Sequence, residues 1–405
     1  MRKIPVSELK PGMAFSKPVY LDPENILVKA SEPLSSTDID RLTKWSITEV
    51  ETAGELLEKV EKPASETSDA VHRANASEKE IKEIEAIKDI LKQTVKQKTK
   101  IKKIFIDGED LLKEGYSALA QERPFQVSRF RTLAENISTL IDDAPNLFIY
   151  TYYNRNEASL YHHIMTAAVF GGVLGTALDF SKPRVVELIF SILLMKVGML
   201  QVPEDIRNKK GQLSDAEKQK LHAHPVLGYQ LLTQHAKVKN SIAIVALQHH
   251  EHYDGSGYPR QIKGQDMTDY TRVAAIADSF SALLEFKSYR ATKMPYEAMK
   301  ELVTLGVYRY DPIYLKSFLD RLSIYPIGSV VQISDNTQGI VVGSVPGKPM
   351  RPLLLLLREA NGKQIVNPMF LHLLYHTDKY ISQALDPVSQ KIDLEKELSN
   401  LISKL

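Results

Sequence analysis

The segment His249–Pro259 constrains the fold of this 405-residue chain more than any other stretch. It joins two adjacent histidines to a turn that contains Gly255 and Gly257 and ends in Tyr258-Pro259. Neighbouring side chains on a helix project about 100° apart, so adjacent histidines reach two sides of a metal cluster more easily than one ion. Because both glycines permit positive φ angles, the chain can turn sharply beside such ligands.

Histidine is unevenly distributed along the chain. Eight of the 11 histidines lie between His162 and His252. Scattered histidines are usually surface or satisfied core residues, whereas imidazole is a common metal ligand. The clustering therefore indicates a metal site in this part of the chain.

Composition excludes several classes of protein. The 52 Lys and Arg residues nearly balance the 50 Asp and Glu residues, which gives no electrostatic basis for nucleic-acid binding. Without cysteine there is no disulfide and no thiolate ligand. No signal peptide is evident at the N-terminus, so we expect a cytoplasmic protein. The apolar stretch Val185–Leu200 contains Glu187 and Lys196 and predicts a buried helix, not a transmembrane segment.

Periodicity divides the chain into segments. Ile81, Ile84 and Ile87 recur at helical spacing, and short β-branched runs follow Pro326. The helical stripe either packs within its own domain or forms a homodimer contact, and we favour the dimer contact. The predicted order is an N-terminal α+β module (1–62), a linker (63–77), a helical connector (78–150), a helical domain (151–325), a small β extension (326–380) and a C-terminal helix (381–405).

The segment His249–Pro259 matches the signature HHExxDGxGYP and resembles the HD-GYP family, a branch of the HD superfamily. The resemblance covers roughly residues 150–320. It implies a mainly α fold, with a helical HD-superfamily core flanked by the small N-terminal α+β module and the C-terminal β extension. It also implies a link to cyclic di-GMP, which HD-GYP phosphodiesterases hydrolyse with two or three metals, often iron or manganese.

Five metal ligands carry over from the family by position. They are His163, His224, His249, His250 and Asp278. His162 is the alternative to His163, but the register of the following helix favours His163.

Three catalytic positions of the family are altered. Where the family has LLHDIGKIGIP, this chain has LLMKVGMLQVP. Met195 therefore replaces a ligand histidine, Lys196 the aspartate that bridges the metals, and Met199 a lysine that contacts phosphate. Ser281 also replaces an aspartate, and Ser159 stands where members with three metals have a glutamate.

The substitution at Lys196 predicts a weakened metal centre. A carboxylate holds two dications together, whereas an ammonium repels both. We expect zero or one divalent metal (iron, manganese or zinc), with His224, His249 and His250 as its ligands. Lys196 either pairs with Asp278 or extends to solvent, and pairing is favoured because an unpaired buried charge is costly.

Other residues fit a nucleotide or a partner protein. Tyr258 can stack on a guanine. The resemblance places Lys287 and Arg290 where the family holds phosphate, and Glu251 is expected to orient a histidine. It also implies that GGDEF-type or other signalling proteins dock on the loop that contains Gly255, Gly257 and Pro259.

Three functions remain open at this point. The leading one is a degenerate HD-GYP protein of bacterial cyclic di-GMP signalling, which acts as a nucleotide receptor or protein-interaction module with little or no hydrolysis. The second is an active metal-dependent cyclic di-GMP phosphodiesterase with a non-standard metal site. The third is a structural adaptor without a small ligand.

Overall fold

The chain divides into two compact units, Met1–Asn75 and Ala76–Leu405. The structure, a computed structural model, describes residues 2–22, 25–28, 30, 33–35, 38–39, 42, 47–57, 66–143, 159–209, 211–285, 294–345, 347–387, 390, 392–393, 396–397, 400 and 402–404.

The first unit contains a small antiparallel sheet in the order β1-β4-β2-β3. Its strands are β1 (Arg2–Pro5), β2 (Val19–Asp22), β3 (Asn25–Val28) and β4 (Glu49–Thr52). Ile4, Phe15 and Val50 are buried in its core. The described residues 38, 39 and 42 are helical.

The second unit is mainly helical. Its longer helices are α1 (Glu66–Lys96, which begins in the first unit), α2 (Lys98–Ala120), α3 (Val127–Asp143), α4 (Leu160–Ala177) and α5 (Lys182–Leu194). They are followed by α6 (Glu204–Arg207), α7 (Asp215–His222), α8 (His224–Gln230), α9 (Asn240–Gln248), α10 (Asp269–Leu284), α11 (Pro295–Arg309) and α12 (Pro312–Leu322).

Helix α4 is buried along most of its length, and two of its glycines lie directly against neighbouring helices. A Cβ atom at Gly171 would lie 2.1 Å from Ile192 Cδ1, and one at Gly172 would lie 2.5 Å from Ile141 Cδ1. The two glycines therefore allow α5 and α3 to approach α4 closely. This contact brings the end of α5, where Lys196 follows, close to His163 on α4.

A five-stranded antiparallel sheet in the order β8-β7-β6-β5-β9 completes the second unit. Its strands are β5 (Val330–Ile333), β6 (Gln338–Gly343), β7 (Leu353–Arg358), β8 (Phe370–His372) and β9 (Ile381–Leu385). The sheet shares one hydrophobic core with the helices. Ile87 of α1 packs against Gly343, so part of the helical stripe expected at a dimer contact lies within its own unit.

Two predicted segment boundaries are wrong. Residues 66–77, expected in a linker, are helical and belong to α1. This stretch has no proline or glycine, and its three alanines favour a helix. The C-terminal helix does not begin at residue 381, because Ile381–Leu385 pairs with β5 as strand β9.

The predicted fold class is confirmed. Along the chain, N-terminal strands precede a mainly helical core, and a C-terminal sheet follows it. None of the helices in the described ranges combines the length and the apolar character needed to cross a lipid bilayer.

Candidate metal and nucleotide site

The ends and buried faces of several helices bring the predicted ligands together in the second unit. The side chains come from α4 (His163), from the turn after α5 (Lys196), from the start of α8 (His224), from the turn after α9 (His249 and His250) and from α10 (Asp278). They form two groups, which we name the acid half (His163, Lys196 and Asp278) and the histidine half (His224, His249 and His250).

The acid half is a buried charge cluster around Asp278. One carboxylate oxygen of Asp278 lies 2.7 Å from His163 Nε2, and the other accepts a hydrogen bond of 3.0 Å from the Lys196 ammonium. Each of the three residues is less than 9% exposed. The hypothesis that Lys196 pairs with Asp278 is thus confirmed in this structure, and His163, not His162, is the histidine that contacts this carboxylate.

Electrostatics hold Asp278 in its charged form. Burial alone would raise the pKa of Asp278, but the charge of Lys196 and the hydrogen bond from His163 hold that pKa well below its usual value. Both carboxylate oxygens therefore have a partner within the protein, and the ammonium supplies the counter-charge.

The histidine half brings three imidazoles to one point. His224, His249 and His250 each offer a ring nitrogen, and these atoms lie within 4.8 Å of one another. His224 and His249 are 2% exposed. Three nitrogen donors at this spacing match the protein ligands of a divalent site that keeps a further position open.

Backbone carbonyls fix the tautomers of two of these rings. His224 Nδ1 lies 2.7 Å from the Leu221 carbonyl oxygen. His249 Nδ1 lies 2.9 Å from the carbonyl oxygen of Ala246. Because a carbonyl only accepts, both Nδ1 atoms carry the proton and both Nε2 atoms present lone pairs. Those two Nε2 atoms are 3.1 Å apart, so a shared cation would satisfy both.

A proton is a poor substitute for that cation near neutral pH. Burial, followed by the charge of Lys196, lowers the pKa of His224 to about 3. Burial is also the main cause that holds the pKa values of His249 and His250 well below the usual range. The three imidazoles are therefore neutral, which is the form that binds metal.

The loop after the histidines folds back on its own backbone. Tyr258 N–H donates to the His250 carbonyl oxygen at 3.1 Å. A Cβ atom at Gly257 would lie 2.5 Å from the same oxygen, so only glycine fits there. Gly255 has a φ of +81°, and the Tyr258–Pro259 peptide bond is cis.

Tyr258 does not present a free ring to a base, contrary to expectation. Its ring is parallel to that of His222 at a centroid distance of 3.9 Å and to that of His250 at 4.8 Å. His222 is thus part of this arrangement, and because 35 residues lie between His222 and Tyr258, the sequence gives no local signal of the contact.

Glu251 also differs from expectation. Its buried carboxylate accepts a hydrogen bond of 2.6 Å from the backbone N–H of Arg260, and no ring nitrogen of the three histidines is its partner among the described residues. The carboxylate therefore holds the loop. Its position directly after two histidines had indicated a role beside them.

The altered family positions lie around the acid half. Met195 is fully buried, whereas Met199 is partly exposed. Ser281 Oγ donates to the His163 carbonyl oxygen at 3.0 Å. Ser159 caps the N-terminus of α4.

Two further features complete the surroundings. Gly198 packs on the histidine half, since a Cβ atom there would lie 2.0 Å from the His224 carbonyl oxygen. His162 pairs with Glu109 of α2 at 2.8 Å, a contact between residues 53 positions apart that the sequence did not indicate. Lys287 and Arg290 lie outside the described residues.

Comparison with known proteins identifies the region that holds these side chains. The model of the family described as HD domain matches residues 139–313. This region is an HD domain. Its homologues include proteins named cyclic di-GMP phosphodiesterases.

The relatives of this HD domain are similar over part of their length. A cyclic di-GMP phosphodiesterase of Pseudomonas aeruginosa is 26% identical over 57% of this chain and 56% of its own length. A cyclic di-GMP phosphodiesterase response regulator of Xanthomonas campestris is 34% identical over 35% of this chain and 38% of its own. The chain thus spans about half, or less, of the curated relatives it matches. An HDG"Y"P protein from Bdellovibrio bacteriovorus aligns with a TM-score of 0.47 at 16% identity, over 79% of this chain and 98% of that one.

Proposed function

We propose that this HD domain binds one divalent metal in its histidine half and acts as a receptor for cyclic di-GMP, with little or no hydrolysis. The observation that carries the proposal is the hydrogen bond of 3.0 Å between Lys196 and Asp278. It puts a fixed positive charge beside the carboxylate that a second metal would need.

The donor atoms of the histidine half fit a metal. Three neutral imidazoles converge, and two of them are oriented by backbone carbonyls, as is usual for metal-bound histidines. Imidazole donors of this kind suit zinc and iron. A bound ion would supply Lewis acidity and lower the pKa of a bound water.

The acid half argues against two adjacent metals. A second dication near Asp278 would have to displace the Lys196 ammonium or lie beside it, and like charges at that distance repel strongly in a buried site. Without the second ion, the charge that develops on a phosphodiester during hydrolysis loses much of its stabilisation. Binding without turnover is therefore the expected behaviour.

The ligand class follows from the relatives, several of which are named cyclic di-GMP phosphodiesterases. We propose that Lys287 and Arg290 contact the phosphates of the nucleotide. For a protein partner, we propose either a GGDEF-type protein that docks on the loop 253–259 or a second copy of the chain.

Metal content tests the proposal first. Purified protein loaded with excess Zn²⁺ and then desalted should hold about one equivalent by elemental analysis. His249→Ala should reduce the content to near zero, while His163→Ala and the surface control His235→Ala should retain it. Two equivalents in the unmodified protein would contradict the single-metal site.

Binding and hydrolysis of cyclic di-GMP form the second test. Calorimetry should detect binding to the unmodified protein, which Lys287→Ala with Arg290→Ala should weaken, and Mn²⁺ or Fe²⁺ should produce no turnover above background. Met195→His with Lys196→Asp should raise the metal content to about two equivalents. Turnover by the unmodified protein that His250→Ala abolishes would favour the active phosphodiesterase, and undetectable nucleotide binding would favour the adaptor.

A further inference from the structure

Three parallel aromatic rings run from the surface to the histidine half. Tyr258 lies between His222 (ring planes 12° apart) and His250 (18° apart). Two rings parallel to Tyr258 at 3.9 and 4.8 Å would overlap each other if they lay on the same face, so they cover opposite faces. His222 is exposed and His250 is partly buried, so the rings form a column that leads inward.

The other two histidines of the histidine half are oriented by hydrogen bonds. His224 and His249 each donate from Nδ1 to a backbone carbonyl, which fixes the ring plane. Within the described parts of the chain, the His250 ring has no such hydrogen bond. One face of the His250 ring lies against the Tyr258 ring.

The loop backbone makes Tyr258 a stable support. Tyr258 N–H donates to the carbonyl oxygen of His250 itself, and Gly257 packs against the same oxygen. The backbone of the ligand and the ring that covers it are thus tied to one another. On the outer side, His222 precedes His224 by two residues, so the column also contacts the segment that supplies a second ligand.

We infer that Tyr258 is a positioning residue of the metal site, which holds the ring plane of His250 by stacking, with His222 supporting its outer face. The inference rests on the proposed metal in the histidine half. It assigns the tyrosine of the signature to the orientation of a ligand, and it excludes this ring as the surface on which a base stacks while the column is intact.

Metal affinity gives the expected size of the effect. Loss of a group that orients a metal-bound histidine weakens metal binding by roughly 10- to 100-fold. Tyr258→Ala should therefore weaken binding by that factor, whereas Tyr258→Phe keeps the ring and should stay within about twofold of the unmodified protein. His222→Ala, which removes only the outer ring, should have a smaller effect.

The experiment measures Co²⁺ binding to the full chain by competition with a chelator and by the visible spectrum of the bound ion. Tyr253→Ala is the matched control, since this tyrosine lies in the same loop but is not stacked on a ligand among the described ring contacts. Weakened binding and an altered spectrum in Tyr258→Ala alone would support the inference. Unchanged affinity in Tyr258→Ala, or an equal loss in Tyr258→Phe, would overturn it.

A metal-free measurement separates this inference from the metal proposal. In protein labelled with ¹³C in its histidine rings, relaxation of the His250 signal, identified by its loss in His250→Gln, should report a more mobile ring in Tyr258→Ala and an unchanged ring in Tyr258→Phe. If Co²⁺ does not bind the unmodified protein, the proposed metal site fails, and this change in ring mobility alone decides whether Tyr258 orients His250. A His250 ring that is equally mobile in all variants would overturn the positioning role.

Discussion

In the acid half both oxygens of Asp278 already have a partner, whereas in the histidine half two ring nitrogens direct their lone pairs at each other across 3.1 Å. The first group is satisfied by a cation that belongs to the chain, the Lys196 ammonium. The second group is satisfied only when a cation is added. The two halves therefore differ in where their positive charge comes from.

This difference shows how a single residue can change one half of a site and leave the other intact. Lys196 acts on the acid half by direct contact and on the histidine half only through its charge, which follows burial among the causes that lower the pKa of His224. The geometry of the histidine half depends instead on carbonyls of its own helices. It can persist when the acid half holds no metal.

Removal of the internal cation should have the largest effect. In metal-free protein, Lys196→Met leaves the Asp278 carboxylate buried without its counter-charge, and breaking a buried pair in this way costs about 3–5 kcal/mol. Urea unfolding at pH 7 in the presence of a chelator measures this loss.

Two controls accompany this measurement. Lys209→Met removes an exposed partner of Glu217, and loss of such a pair should cost less than about 1 kcal/mol. The double change Lys196→Met with Asp278→Asn should recover much of the loss. A Lys196→Met variant as stable as Lys209→Met would mean that Lys196 does not balance a buried charge.

The ion pair of the acid half was predictable from charge and from the family pattern. A lysine in an apolar helix needs an anion, and the family pattern places Asp278 near it. The short β-branched runs after Pro326 likewise predicted the C-terminal sheet.

The ring column could not be predicted, because stacking depends on loop geometry that residue types do not encode. The same limit applies to Glu251, which bonds to the Arg260 backbone and does not orient a histidine. Strand β9 was also missed, because DPVSQKIDLEKEL predicts a helix strongly and the preceding ISQAL pairs only through its distant neighbour β5.

The two halves should lose stability in different pH windows. His224 has a folded pKa of about 3, below its usual value near 6.5, so between these values the unfolded chain binds more protons and stability falls as the pH falls. At pH 5 this one imidazole contributes a loss of about 2 kcal/mol. Burial raises the pKa of Asp278, and it is Lys196 and His163 that depress it. The stability that the charged carboxylate contributes is therefore lost only as the pH falls below about 3.8.

The unfolding free energy of metal-free protein at pH 7.5 and pH 5 tests this separation. In His224→Leu the decrease between the two pH values should be about 2 kcal/mol smaller than in the unmodified protein. Asp278→Asn should lower stability at both pH values and leave the decrease unchanged. The same decrease in all three proteins would show that His224 is not held neutral by the fold.

The smallest expected effect on the unfolding free energy comes from the loss of a hydrogen bond that supports the acid half. Ser281→Ala removes a buried hydrogen bond of 3.0 Å to the His163 carbonyl oxygen and should cost about 1 kcal/mol of unfolding free energy. Ser317→Ala is the matched control, because Ser317 makes a bond of the same length to the Ile313 carbonyl on an exposed helix face, where loss should stay within about 0.5 kcal/mol. Since Ser281 does not contact the histidine half, the affinity for Zn²⁺ should remain within about twofold of the unmodified protein, as energetically independent sites require. A Zn²⁺ affinity that falls together with stability in Ser281→Ala would show that the two halves are coupled through α4 and α10, and the separation drawn between them would have to be given up.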